Sequence, residues 1–293
     1  MHPVLFILMS VSIQAFSFAY VSKEFEPGEI IQYSLISFLL CGLVFSMVLY
    51  KKGNLCLEAK EIHELFRLNI ATSFAFLGFY LSLIFIPPSI SSLIEASSSP
   101  LWAVFFTYIY IKKLENNIPL LVLIFLFGLV TLSFSIESFN IKIFTGLTLS
   151  ILAGAGAAYI ATISNQGSMN DLSREKILAY RFYGSAICSA FLLYTTGGWN
   201  FDVYFLLKAS VLSLLGFLLP MLLLQIGMEK TKPVITILCL SLIPLLSYIS
   251  EMLLGSNFDL KAALMMTVTL FLTAYYIFSS TRKTVKEEGV VVR

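Results

Sequence analysis

Long apolar segments separated by short polar turns recur along the whole chain and restrict it to a membrane environment. A helix crosses a hydrocarbon core of about 30 Å with about 20 residues, and a backbone within lipid must satisfy its hydrogen bonds internally, which favours helices. With 58% hydrophobic and only 12% charged residues, the chain lacks the polar surface of a soluble domain. The ten segments of suitable length are 3–21, 30–50, 66–86, 89–111, 118–136, 143–165, 177–195, 205–228, 233–254 and 261–280.

Lysine and arginine residues are distributed unevenly between the two sides of this expected bundle. With a cytoplasmic N-terminus, the inner loops and the tail contain fourteen of the nineteen, and the outer loops contain four. Because cytoplasmic loops are enriched in these residues, we expect a multi-pass protein of the cytoplasmic (inner or plasma) membrane with both termini cytoplasmic. Arg181 lies within a span, and its closeness to Lys176 predicts a structural anchor that reaches the cytoplasmic interface. The net charge of +2 does not indicate nucleic-acid binding.

Matching features recur at an offset of 144 residues, which superimposes the first five segments on the last five. Pro100 corresponds to Pro244 within the fourth and ninth segments, and Tyr50 corresponds to Tyr194. Because five is an odd number, the two halves enter the membrane from opposite sides. The sequence therefore predicts two inverted five-helix repeats, 1–136 and 143–280, followed by a cytoplasmic tail at 281–293. Inverted repeats are common among secondary transporters.

Two stretches resemble the span junctions of the EamA-like branch of the drug/metabolite transporter superfamily. The first is FLGFYLSLIFIPPSISSLIEASSSPLWAVFFTYIYIKKLE at 76–115, and the second is LLLQIGMEKTKPVITILCLSLIPLLSYISEMLLG at 222–255. The resemblance covers nearly the whole chain. It implies an all-helical carrier of small polar organic metabolites, often an exporter. The arginine common in the second span of the family is replaced by Ser37 in the first half, whereas Arg181 retains it in the second.

Glu95 is the most informative single residue, because it lies about 10 Å into its helix, counted from Pro88 at 1.5 Å per residue. An acidic residue at a helix centre is unfavourable in lipid by about 3 kcal/mol, so it faces the bundle interior in most proteins. Three interpretations stay open from the sequence. Ionised Glu95 pairs with a cationic group of the substrate, or it carries a coupling proton, or it is a neutral packing residue bonded to neighbouring serines.

Further residues are candidates for the same cavity by their spacing or type. Pro100 and Pro244 each remove one helical hydrogen bond, and paired interrupted helices predict a binding site near the midplane. Aromatic side chains can provide a wall for an ammonium group, and polar residues at helical spacing line a face. The candidates other than Glu95 are Ser91, Ser98, Ser99, Trp102, Gln14, Tyr80 and Tyr159.

These features favour a secondary-active transporter of an amino acid or amine by alternating access, and the resemblance implies an exporter. A small-molecule substrate and the lipid bilayer are the expected partners, with protons as a candidate coupling ion and a homodimer left open. We expect no cofactor, no metal site and no enzymatic activity, because His2 and His63 both lie outside the spans and no nucleotide-binding loop occurs. The alternatives are a flippase for a lipid-linked sugar or head group and, less favoured, an intramembrane enzyme.

Overall fold

The computed structural model describes residues 3–52, 57–112, 118–135, 139–165, 172–231 and 233–291, and these ranges contain helices without any strand. Within these ranges, eight helices are long and apolar enough to cross a membrane. The helix that contains Glu95 falls outside that set because its glutamate and serines lower its hydropathy, and the helix after it is a shorter apolar one. The chain is thus a multi-pass membrane protein.

The first half forms five helical rods, each of which covers one of the expected segments. The third rod is a single helix with a π turn in its interior. The bounds are α1, Pro3–Glu24; α2, Pro27–Lys51; α3, Ala59–Thr72 with the π turn Ser73–Leu77 and a last stretch Gly78–Ser82; α4, Pro88–Ile111; and α5, Ile118–Ser135.

The second half repeats this order, but two of its rods are interrupted. The bounds are α6, Ile141–Asn165; α7, Arg174–Tyr180 and Tyr183–Thr196; α8, Val203–Ser213 with the π turn Leu214–Leu218 and then Leu219–Glu229; α9, Pro233–Leu240 and Ile243–Leu253; and α10, Leu260–Val291. The π turns thus occur in α3 and in α8, the third rod of each half.

Successive contacts connect eight of the rods in a closed ring. The order around the ring is α2, α8, α1, α9, α4, α6, α3, α7 and back to α2. The helices α5 and α10 lie outside the ring, where they pack on α4 and α9 and on each other. Exchanging each rod of the first half with its counterpart in the second half reproduces every one of these contacts. The two halves therefore pack by the same rules.

The interruption of α7 is held by a side chain from another helix. Asn69 of α3 donates from Nδ2 to the Tyr180 carbonyl at 2.7 Å and accepts from the Gly184 N–H at 2.8 Å through Oδ1. These are backbone groups that the break at 181–182 would otherwise leave without a partner. One amide thus replaces the lost helical bonds and fixes the break in place.

The two matched prolines differ in their effect on the backbone. Helix α9 breaks at residues 241–242, directly before Pro244, whereas α4 continues through Pro100. The expectation of two interrupted helices therefore holds for α9 but not for α4. Contacts with α6 support α4 before the proline, where Ser99 bonds to the Gly154 carbonyl, and after it, where Phe106 packs against Tyr159. Neighbouring helices and serine hydroxyls commonly stabilise prolines within membrane helices in this way.

An aromatic cluster fills the ring where α1, α2, α3, α7 and α8 meet. Ring centroids within it lie 4.5 to 6.4 Å apart, mostly in tilted or edge-to-face arrangements, which are the favoured geometries for aromatic pairs. The cluster is buried almost completely, so it closes this part of the interior. Its members are Phe18, Tyr33, Phe38, Phe76, Phe79, Tyr80, Phe182 and Phe217.

Polar contacts join the two halves at both ends of the bundle. At the end with the α1–α2 turn, Glu251 of α9 accepts hydrogen bonds from the Ser89 N–H and hydroxyl of α4 at 2.7 and 2.8 Å. At the opposite end, Lys176 of α7 contacts both carboxylate oxygens of Glu61, at 2.7 and 2.9 Å. A polar contact therefore joins the two halves at each end of the bundle.

Candidate functional site

Glu95 lies on the face of α4 that points into the ring. Helix α5 covers the opposite face, because a methyl group added at Gly128 would lie 2.6 Å from Ser97 Oγ and 3.7 Å from Ile94 Cδ1. Helix α6 covers the face beside it, where Ser91 donates to or accepts from Ser150 at 3.0 Å. Glu95 shares a helical face with Ser91 and Ser99, which both contact α6, so it lies on the α6 side of α4 and away from the face that α5 covers. Its side chain is therefore directed away from lipid.

The carboxylate of Glu95 has no hydrogen-bond or ion-pair partner among the described residues. The nearby hydroxyls of Ser98 and Ser99 donate instead to its backbone carbonyl, at 3.2 and 2.9 Å. The side chain is half-buried. A polar group removed from water without a partner is unfavourable by about 1–3 kcal/mol, and more when charged. The serine hydrogen bonds that would make Glu95 a satisfied packing residue are thus absent from this part of the chain.

An aromatic wall continues along the same face of α4. The ring of Trp102 stacks on Phe106 with centroids 6.1 Å apart, and Phe106 contacts Tyr159 of α6 edge to face at 5.1 Å. Arg67 of α3 donates from Nε to the Tyr159 hydroxyl at 3.1 Å. The structure thus brings Trp102 and Tyr159 to the wall that carries Glu95. Arg67 joins them, although its position at the end of a span gave no signal in the sequence.

Three buried polar groups elsewhere on the ring also lack hydrogen-bond partners. They are Nε2 of Gln14 on α1, the hydroxyl of Tyr80 on α3 and the hydroxyl of Ser247 on α9. Gln14 and Tyr80 are expected site residues, whereas sequence reasoning missed Ser247. The only signal for Ser247 was a serine four residues before Glu251, on one helical face. Each group needs a water or solute partner to be satisfied.

The expected site residues do not all face the interior. Ser91 bonds to Ser82 and Ser150, and a methyl group added at Gly154 would collide with Ser98 Oγ, so both serines mediate close packing of α4 against its neighbours. Pro244 lines a crevice of 10 Å³ between α4, α9 and α10, which has room for about one water molecule. Ser99, one turn from Glu95, shares its helical face and also contacts α6, where its hydroxyl donates to the Gly154 carbonyl at 3.1 Å.

Arg181 differs from its expected role as an anchor at the interface. It lies at the break in α7, is only 8% exposed, and has its guanidinium 5.5 Å from the ring centre of Phe76 and 5.1 Å from that of Phe182. Its Nε donates to Thr72 Oγ1 at a long 3.4 Å. The side chain therefore points into the bundle, because the break turns residue 181 away from the direction that a continuous helix would give it.

A separate apolar groove with a volume of 690 Å³ lies between α3, α6 and α7. Its lining includes exposed side chains such as Phe66, Phe74 and Ile187, so it opens outward from the ring. The described lining residues carry no charge. The groove is suited to an acyl chain and not to a polar solute.

The described ranges contain no group of three or more His, Cys, Asp or Glu side chains arranged to hold a metal ion. No protein-family model matches the chain, and no curated protein matches it. One solved structure, described only as "Crystal structure of protein", is similar over 93% of this chain and 94% of its own, with a TM-score of 0.63 and 12% sequence identity. That similarity shows that the overall fold has been observed in another protein.

Proposed function

We propose that this chain is a secondary-active transporter of a small polar organic solute, with an interior site at Glu95. The observation that carries the proposal is the unpartnered carboxylate on the inward face of α4. Ionisable residues within membrane spans are rare and mark substrate or proton pathways more often than packing sites. The unpartnered groups of Gln14, Tyr80 and Ser247 lie on other helices of the same ring. Those of Gln14 and Ser247 are candidate polar contacts for a bound solute, whereas the Tyr80 hydroxyl lies within the closed aromatic cluster.

The proposed architecture is ten spans in two inverted repeats, with both termini in the cytoplasm. Its support is the order of rods around the ring, which is unchanged when the halves are exchanged, and the π turns in α3 and α8. The lysine and arginine distribution supports the orientation. This architecture, together with the two quoted junction sequences, is the basis for proposing membership of the EamA-like branch of the drug/metabolite transporters.

Alternating access follows from the positions of the contacts between halves. Opening one end requires breaking contacts such as Ser89 with Glu251, and opening the other requires separating α2 and α3 from α7 near Lys176. These two polar contacts lie at opposite ends of the bundle, and helix packing joins the halves between them. Rocking of one repeat against the other exposes the Glu95 face to each side in turn.

The carboxylate of Glu95 indicates which chemical group the solute carries. An ionised carboxylate pairs with an ammonium group, which favours amino acids and amines as solutes. A proton competing for the same carboxylate would couple proton movement to solute movement, so export driven by a proton gradient needs no second acidic site.

A flippase for a lipid-linked head group is the second candidate, and the outward-facing apolar groove favours it. The groove accommodates an acyl chain, but its described lining lacks the charges that a polar head group needs. The interior polar groups of the ring fit a soluble solute better.

The test is transport into proteoliposomes that contain the purified chain, with radiolabelled amino acids and amines and an imposed proton gradient. We expect saturable uptake that Glu95→Gln abolishes and that Glu251→Gln, an acid replaced outside the interior, retains at least in part. Uptake that is unchanged by Glu95→Gln would refute the site, and translocation of fluorescent phospholipid without solute uptake would favour the flippase.

A further inference from the structure

The break in α7 presents an arginine to the bundle interior by a dedicated arrangement. Asn69 satisfies the Tyr180 carbonyl and the Gly184 N–H on the two sides of the break. A continuous helix would need neither this amide nor the turn at residues 181–182. The break thus depends on Asn69, and its consequence is that the side chain of Arg181 points into the bundle.

The guanidinium of Arg181 is buried without an anion. Of its five N–H donors, Nε alone has a described partner, the Thr72 hydroxyl at 3.4 Å. The faces of Phe76 and Phe182 contact the cation, but no carboxylate in the described ranges pairs with it. A buried charge without a counter-ion is strongly unfavourable, and an arginine fork matches a carboxylate or phosphate with two parallel hydrogen bonds.

Two lysines of the bundle, unlike Arg181, form ion pairs with carboxylates. Lys176, five residues before Arg181 on the same rod, pairs with Glu61 at 2.7 Å, and Lys208 pairs with Glu24 at 3.4 Å. Both pairs lie near the ends of the bundle. Arg181, which is as buried as Lys176 but lies further from the end of the bundle, has no such carboxylate partner among the described residues.

Arg181 and Glu95 lie at nearly the same level along the bundle axis. Gly154 of α6 packs against the Glu95 backbone, since a methyl group added there would be 2.9 Å from the Glu95 carbonyl oxygen. Gly156, two residues further, packs equally tightly on Ala71 of α3, the neighbour of the Thr72 that contacts Arg181. Two residues of helix correspond to about 3 Å.

We propose that Arg181 is an anion-binding site for the transported solute and takes its carboxylate or phosphate group. This inference rests on the proposed transport function and narrows it, because a solute held by both Arg181 and Glu95 carries an anionic and a cationic group. The solute class is then zwitterionic: amino acids or phosphorylated amines, not simple amines.

The test is the melting temperature of the purified full chain with matched pairs of probes. Each amino acid is compared with the amine that remains after its carboxylate is removed, phosphoethanolamine is compared with ethanolamine, and inorganic phosphate is compared with chloride at equal ionic strength. We expect at least one anionic probe to raise the melting temperature of the wild type by about 2–4 °C more than its matched control. A carboxylate and a phosphate source are told apart by which pair responds.

The variants Arg181→Gln and Arg181→Lys separate binding from folding. We expect Arg181→Gln to lose the difference between paired probes, and Arg181→Lys, which keeps the charge without the fork, to reduce it. The control Lys208→Gln removes a cation from an end of the bundle and should retain it. If Arg181→Gln does not fold, the lysine variant decides: an unchanged response there overturns the proposal.

Two other outcomes also overturn the anion site. One is a wild type that responds equally to both members of every pair or to none of them, and the other is a response that survives Arg181→Gln. The transport proposal stands independently, because amines that stabilise the wild type through Glu95 but ignore Arg181 would support a transporter of cations without this anion site.

Discussion

Replacing Glu95 with glutamine should stabilise the protein while it abolishes function. The substitution keeps the size of the side chain and removes an ionisable carboxylate that has no described partner on the inner face of α4. Residues retained for function at a cost in stability show this pattern when they are replaced. A packing residue would show the reverse.

The expected magnitude follows from the surroundings of the side chain. An ionised acid at a helix centre is unfavourable by about 3 kcal/mol on insertion scales, and a neutral amide without partners by about 1–3 kcal/mol. The difference predicts a gain of up to about 2 kcal/mol, which corresponds to a rise of up to about 4 °C in melting temperature for a chain of this size.

Thermal unfolding of the solute-free protein in detergent measures this effect. The matched control is Glu251→Gln, which replaces an acid that accepts two short hydrogen bonds from Ser89. Hydrogen bonds to charged groups contribute about 1.5–3 kcal/mol, so the control should melt at a lower temperature than the wild type. A fall in melting temperature for Glu95→Gln, similar to that of the control, would refute the reasoning.

Three further substitutions test the packing that positions the site, each by thermal unfolding. Asn69→Leu leaves two backbone groups at the α7 break without partners and should destabilise the chain by about 2–4 kcal/mol, since each orphan is unfavourable by about 1–3 kcal/mol. Gly156→Ala places a methyl group 2.6 Å from the Ala71 carbonyl oxygen and should be unfavourable by about 1–3 kcal/mol, and no loss would argue against the close α3–α6 contact. Ser10→Ala removes a hydrogen bond to a buried carbonyl and should destabilise by about 1 kcal/mol, whereas Ser247→Ala removes an unpartnered hydroxyl and should not; equal losses would contradict this distinction.

The rods of the fold could be predicted because hydropathy and span length act locally. Every expected segment coincides with a helix in the described ranges, and the break before Pro244 follows from the missing N–H of proline. Pro100 has the same local chemistry without the same outcome, because α6 supports α4 around it. The effect of a proline within a helix therefore depends on neighbours that the sequence alone does not place.

The candidate site was predictable to the level of a helical face. The spacing of Glu95, Ser99 and Trp102 identifies one stripe, but the choice between facing α6 and facing the interior depends on which helices pack beside it. The expected direction of the Arg181 side chain, toward the cytoplasmic interface, was wrong. Its reach toward the interface assumed a continuous α7, and the break exists because Asn69, more than 100 residues earlier, bonds to both sides of it.

The central claim is that the face of α4 with Glu95 borders a solvated interior and not lipid or packed protein. Its most direct test is labelling with a membrane-impermeant thiol reagent, with the four native cysteines replaced and single cysteines placed at Ser99 or at Leu101. Ser99 lies on the helical face of Glu95, whereas Leu101 packs against the apolar cluster that contains Leu121 of α5. We predict that Ser99→Cys is labelled in intact membranes or inverted vesicles and protected by a transported solute, while Leu101→Cys stays unlabelled. Labelling of Leu101→Cys with a silent Ser99→Cys would contradict the account.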